Sequence, residues 1–172
     1  MKNKVLIVDD DQGFRTMLDK VLSAEGYTLL SAMSGEETVQ LVEQESPDLV
    51  LLDLGLPGID GIETLTRIKK IDPEIEAIMI TAQGSIESAV AAMKAGAQNY
   101  ITKSSEFNTD ELRLLVAKIL ETARLKREVQ FLRAAQRERI DFDGIVAESQ
   151  AFKKIIRLSE RIAKSETTTV LR

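Results

Sequence analysis

The sequence predicts a doubly wound α/β fold: a five-stranded parallel sheet with helices on both faces, extended by a long C-terminal helix. Three observations carry this. Residues 4 to 103 alternate short apolar runs with helical patterns five times over. Three of the five runs are continuously apolar, which marks strands buried on both faces. Alternating βα units of this length imply right-handed crossovers, which put helices on both sides of the sheet.

The elements come in order along the chain. Lys4-Val5-Leu6-Ile7-Val8 leads into Asp9-Asp10-Asp11 and a helix whose residues Phe14, Met17, Leu18, Val21 and Leu22 recur at helical spacing until Gly26. Tyr27-Thr28-Leu29-Leu30-Ser31 precedes a helix opened by Ser34, with Glu37 in the capping-box position. Leu49-Val50-Leu51-Leu52 ends at Asp53. After a glycine-rich loop, Asp60 and Glu63 form a similar start, with Ile59 placed to staple back. Ala77-Ile78-Met79-Ile80 ends at Thr81, and Ile86, Ala89, Val90 and Met93 make the next apolar stripe, closed by Gly96. Asn99-Tyr100-Ile101-Thr102 ends at Lys103.

The fifth helical pattern begins near Asn108, with Glu111 at the capping-box glutamate position, and meets no break before Asp141 to Gly144. Some 30 residues at 1.5 Å each give a helix of roughly 45 Å, more than a domain of this size needs to cover its sheet. Leu112, Leu115, Val116 and Ile119 can face the sheet. Leu125, Val129 and Leu132 continue at coiled-coil spacing among charged residues and call for a partner helix; the alternative is a solvated linker helix. Beyond it, Ser149 is placed to cap a helix bearing Phe152, Ile155, Ile156 and Ile162, and Thr167 to Leu171 read as a strand. One helix and one strand cannot make a core of their own. The expected organisation is a domain core over residues 1–108, a dimerising helix over 109–140, and the opening of a further domain over 141–172.

Composition narrows the chemistry. The chain has 172 residues, with neither Cys nor His, which excludes disulfides, thiolate or imidazole metal sites and histidine bases. No run approaches the roughly 18 apolar residues of a membrane span, so a cytoplasmic protein is expected. The net charge of −5 conceals two halves. Residues 1–108 carry 9 basic and 18 acidic side chains, and residues 109–172 carry 14 and 10. Mixed signs and few aromatics in the basic half indicate a solvated helix face more than a nucleic-acid surface.

In a doubly wound sheet ligands bind at the carboxyl ends of the strands. Here those ends bear Asp9, Asp10, Asp53, Thr81 and Lys103, and in the usual five-stranded order strands one and three are neighbours. Three carboxylates held about 6 Å apart repel by about 3 kcal/mol per pair at an effective dielectric near 20. A cation removes that cost, and an all-oxygen set suits Mg²⁺. Asp53 is placed to act as a carboxylate nucleophile, Lys103 to neutralise a phosphoryl oxygen and Thr81 to donate to another. Each residue also has a plainer reading: Asp10 or Asp11 as a helix cap, Lys103 as a surface lysine, Thr81 as a strand-end hydroxyl. Together they fit phosphoryl transfer.

Val5-Leu6-Ile7-Val8-Asp9-Asp10-Asp11, Leu52-Asp53-Leu54-Gly55-Leu56-Pro57-Gly58-Ile59-Asp60-Gly61, Ile80-Thr81-Ala82, Lys94-Ala95-Gly96-Ala97 and Tyr100-Ile101-Thr102-Lys103 occur in the order of a known family. Residues 4–120 resemble the receiver domain of two-component response regulators. The resemblance implies a flavodoxin-like sheet of order 2-1-3-4-5 and Asp53 as acceptor of a phosphoryl group from a histidine kinase. It implies Mg²⁺ served by Asp9 and Asp10, with Asp10, Asp53 and the Gly55 carbonyl as direct ligands. It also implies Thr81, Ala82 and Lys103 around the phosphoryl group, and Thr81 with Tyr100 as a switch pair. Where the family usually has proline after the lysine, this chain has Ser104. A cis bond before serine costs about 3 kcal/mol, so a different course is expected for this loop.

The long helix and Ile145-Val146-Ala147-Glu148-Ser149 onward resemble the entry to the AAA+ domain of NtrC-type activators of sigma-54 RNA polymerase. No Gly-Lys-Ser/Thr loop occurs, so ATP hydrolysis and contacts to DNA and polymerase are expected only in domains outside these residues, and the chain reads as a fragment or truncation of a longer regulator. The expected function is a phosphorylation switch controlling a homodimer and, through it, a downstream ATPase. A phosphorylation-independent dimerisation module is the alternative. A flavin binder is disfavoured because Asp9-Asp10-Asp11 would repel a phosphate at the first loop.

Overall fold

The computed structural model describes residues 2–82, 84–104 and 107–148, with side chains described as far as residue 134. The sequence folds into β1 (Lys4–Val8), α1 (Gln12–Ser23), β2 (Thr28–Ala32), α2 (Gly35–Glu45), β3 (Leu49–Asp53), α3 (Gly61–Ile71), β4 (Glu76–Thr81), α4 (Ile86–Lys94), β5 (Asn99–Thr102) and α5 (Thr109–Glu148). All five strands are parallel, in the order β2-β1-β3-β4-β5. The expected architecture, flavodoxin-like order included, is the one observed.

Strand alternation sorts the core into two layers. Leu6, Val8, Val50, Leu52, Ala77 and Met79 pack with Val42 of α2, Leu65 and Ile68 of α3 and Ala92 of α4. Val5, Ile7, Leu49, Leu51, Ile78 and Ile80 pack with Leu18 and Leu22 of α1 and with Leu112, Val116 and Leu120 of α5. Apart from Lys4, Asp53, Glu76 and Thr81 at their ends, the three central strands are thus apolar because both faces are covered. A compact unit runs from Met1 to Arg124 and so includes the first turns of α5; Leu125–Arg172 forms a second unit.

Helix starts obey the expected chemistry. Asp11 caps α1, accepting from Gly13 N–H at 2.7 Å and Phe14 N–H at 3.2 Å. Ser34 and Asp60 each accept from the backbone of the glutamate three residues on, at 3.2 and 2.8 Å. Glu37 and Glu63 do not close reciprocal boxes: Glu37 accepts from Met33 N–H, and Glu63 pairs with Arg67. The full box belongs to α4, where Ser85 and Ser88 cap each other.

Two expectations fail. The stripe of α4 does not face the sheet: Ile86, Val90 and Met93 are 81, 47 and 50% exposed, and Ala92 is the buried residue. Small side chains let this helix lie close to β4 and β5, and the larger apolar ones are left on its outer side. The long helix also runs through Asp141 to Gly144 and reaches Glu148. One isolated glycine costs only about 1 kcal/mol in a helix, too little to end one that is propagating on both sides. The expected Ser149 cap, its helix and the Thr167–Leu171 strand lie outside the described residues.

Candidate functional site

The carboxyl ends of β1, β3, β4 and β5 converge because parallel strands in register end together. Val8 pairs with Leu52, Asp53 with Ile80, and Thr81 with Thr102. The residue ending each strand, or the one after it, therefore faces a common space. Asp9, Asp10 and Asp53 each present a carboxylate oxygen within 4.8 Å of the others. Asp9 and Asp53 are buried, while Asp10 is open to solvent.

Each buried carboxylate is held by the backbone. Asp9 Oδ1 accepts from Asp11 N–H at 3.0 Å, and Asp53 Oδ1 accepts from Leu54 N–H at 2.9 Å. Lys103 supplies the counter-charge, its Nζ 2.6 Å from Asp9 Oδ2 and 3.3 Å from Asp53 Oδ2. Burial pushes the Asp9 carboxyl above its ordinary value. The Lys103 hydrogen bond and charge and the Asp11 amide draw it back, and the charge of Asp53 adds to the rise.

The loop after Asp53 is fixed by close packing. A side chain at Gly61 would begin 2.2 Å from the Asp53 carbonyl oxygen, and one at Gly35 would begin 2.4 Å from Ile59 Cγ1. Only glycine fits these two approaches, which seat α3 against the end of β3 and α2 against the loop. Gly55 borders the acidic cluster: a Cβ there would lie 3.7 Å from Asp53 Oδ2.

The remaining expected residues fall around this centre. Thr81 is buried at the end of β4, and its carbonyl accepts from Lys103 N–H at 2.7 Å. Ala82, the next residue, is exposed. Tyr100 lies beside Met79 on β5, half-buried against the α2–α3–α4 layer, with its hydroxyl 2.9 Å from Ser88 Oγ. Leu125, Val129 and Leu132 are exposed on α5 and belong to the second unit.

Sequence reasoning missed three neighbours of the site. Phe14, read only as part of a core stripe, covers Lys103 with its ring, the ammonium 4.7 Å from the centroid. Phe107 packs against Phe14 at 5.4 Å and 67°. Ser88 holds the Tyr100 hydroxyl. The available signal for Phe14 was its position in the first turn of α1, three residues beyond the end of the acidic run.

The donor set fits Mg²⁺. It is all oxygen, two of its carboxylates are withdrawn from water, and the third opens to solvent where the waters that Mg²⁺ retains can sit. Lys103 already offsets part of the negative charge, as a cluster in need of a positive partner requires.

Comparison with known proteins places the geometry in a family. Residues 5–117 match the model for the response regulator receiver domain. The chain is 42% identical to sporulation initiation phosphotransferase F of Bacillus subtilis (strain 168) over 120 residues, 70% of this chain and 95% of that protein. It is 34% identical to the transcriptional regulatory protein ZraR of Escherichia coli (strain K12) over 168 residues, 97% of this chain but 36% of that one. A crystal structure of a CheY-like response regulator receiver domain protein from Methanospirillum hungatei JF-1 superposes with a TM-score of 0.70 at 31% identity, covering 73% of this chain and 99% of that one.

Proposed function

The chain belongs to the response regulator receiver family, and from that membership we propose that Asp53 accepts a phosphoryl group from a sensor histidine kinase. The observation that carries the proposal is the convergence of Asp9, Asp10, Asp53 and Lys103 on one space at the sheet's carboxyl edge. An Asp53 carboxylate oxygen forms a bond to phosphorus as the bond from phosphorus to the donor nitrogen breaks, giving an acyl phosphate and a free imidazole on the kinase. Lys103 is near enough to pass from Asp53 to a phosphoryl oxygen, and Thr81 to donate to a second. Asp10, Asp53 and the Gly55 carbonyl would hold Mg²⁺ directly, with Asp9 beside them, and bound Mg²⁺ supplies charge neutralisation for the phosphoryl oxygens.

Transmission runs through α4, β5 and α5. Thr81 and Tyr100 lie on adjacent strands toward the same layer, so movement of Thr81 toward a phosphoryl group opens space for the Tyr100 ring. The exposed Leu125, Val129 and Leu132 repeat at helical spacing and pair with the same residues of a second copy. Phosphorylation then changes how two copies associate, and residues 109–140 pass that change on to residues 141–172. Alignment with ZraR over nearly the whole chain supports a place in the NtrC-type class acting with sigma-54 polymerase, residues 141–172 being the start of its ATPase domain.

Intact-mass analysis after incubation with Mg²⁺ and acetyl phosphate tests the reading. A gain of one phosphoryl group, lost in Asp53→Ala, is the expected result. Folded protein that binds Mg²⁺ yet gains no mass would instead mark a phosphorylation-independent dimerisation module.

A further inference from the structure

Lys103 sits on a flexible four-carbon stem, yet it is held on three sides. Asp9 and Asp53 take two directions, and the face of the Phe14 ring takes a third. An aromatic face carries negative potential, so an ammonium lodged between it and two carboxylates gains attraction on the side where it would otherwise meet water. Phe14 is itself fixed. Its N–H is bound by the Asp11 carboxylate, and its ring is packed by Phe107 in a T-shaped contact.

The backbone beyond Lys103 delivers Phe107 to that position. Ser104 N–H donates to the Thr102 carbonyl at 2.9 Å, closing a three-residue turn around Lys103, and Phe107 N–H donates to the Ser104 carbonyl at 3.0 Å. A proline at 104 has no N–H and could not close this turn. The Ser104 N–H is therefore the donor that closes the turn at Lys103.

We propose that Phe14 is a positioning residue for Lys103, braced by Phe107 through the Ser104 turn. The ring keeps the ammonium aimed at Asp9 and Asp53 before a phosphoryl group arrives. The consequence for phosphoryl transfer rests on the reading of Asp53 as acceptor; the placement of Lys103 does not.

The test uses the whole chain and two readouts on Phe14→Leu, which keeps bulk but loses the aromatic face, and Phe14→Tyr, which keeps the face. The first is the ring-current shift of the Lys103 Hε protons by NMR without metal. The second is the rate of Asp53 phosphorylation by acetyl phosphate at saturating Mg²⁺, also in a Lys103→Met background. Upfield Hε signals are expected in the parent and Phe14→Tyr and near-ordinary ones in Phe14→Leu. Phe14→Leu should slow phosphorylation by about 2- to 30-fold, the range that cation–π energies convert to, and by nothing further once Lys103 is Met. Unshifted Hε signals in the parent, no rescue by Tyr, or an equal loss in the Lys103→Met background would overturn the proposal. A parent chain that takes up no phosphoryl group would end the Asp53 reading, while the NMR result still decides for or against Phe14.

Discussion

The Tyr100 hydroxyl and the Ser88 Oγ lie 2.9 Å apart, tying β5 to the first turn of α4. Ser88 is the same residue that closes the capping box with Ser85, accepting from Ser85 N–H at 3.0 Å. A change of rotamer at Tyr100 breaks this bond, so the proposed switch is coupled to the start of α4. Tyr100→Phe removes the tie at a cost of about 1 kcal/mol. Faster amide exchange at residues 85–89 is expected in that variant, and also in the parent chain carrying Mg²⁺ and beryllium fluoride. Unchanged exchange in both would separate the switch from α4.

Asp9 sets a pH dependence. Its pKa is raised in the folded chain, chiefly by burial, so the native state takes up a proton there more readily than the unfolded state. Its contribution to stability is present below the ordinary carboxylate value, about pH 4, and is lost as the pH rises through the raised value. Asp9→Asn removes the charge. In EDTA the variant should melt close to the parent near pH 4 and several degrees above it at pH 7. A variant that melts below the parent at pH 7 contradicts this sign.

Lys103→Met leaves two buried carboxylates facing each other without their cation. Removing one member of a buried ionic group costs about 3 kcal/mol. The metal-free variant should therefore melt well below the parent, and added Mg²⁺ should raise its Tm by more than it raises the parent's. Equal Mg²⁺ responses would mean that Lys103 does not share the charge of the cluster.

Gly61→Ala tests the packing that carries the site. The new methyl would begin 2.2 Å from the Asp53 carbonyl oxygen, a backbone atom with no rotamer to yield. A loss of about 3 kcal/mol is expected, together with weaker Mg²⁺ binding because Asp53 must move with its carbonyl. Chemical denaturation and Mg²⁺ titration read the two effects separately.

The α5 stripe makes its own prediction. Changing Leu125, Val129 and Leu132 together to Ser should convert a dimer to a monomer in sedimentation while leaving Mg²⁺ binding at the acidic cluster intact. A parent chain that sediments as a monomer under all conditions removes the coiled-coil reading.

The sheet was legible because its three central strands are buried on every residue of β3 and β4 and nearly every residue of β1, a pattern that only a doubly covered strand sustains. Asp9, Asp53, Thr81 and Lys103 were legible because strand ends in a parallel sheet share one edge. The outward face of α4 was not legible. Periodicity reports that a helix has an apolar side, but not that Ala92 and its small neighbours will claim the sheet ahead of Ile86, Val90 and Met93. The roles of Phe14 and Phe107 were hidden for a related reason: they are far apart in the chain, and each alone looks like ordinary core.

The strand order also bears on how the chain reaches its native state. Strand β1 cannot gain its inner neighbour until β3 is available, because Val5 pairs with Leu49 across the whole of α1, β2 and α2. That same closure brings Asp53 beside Asp9 and Asp10. Forming the middle of the sheet and crowding three like charges are one event, so electrostatic repulsion acts on the rate of folding as well as on the finished molecule.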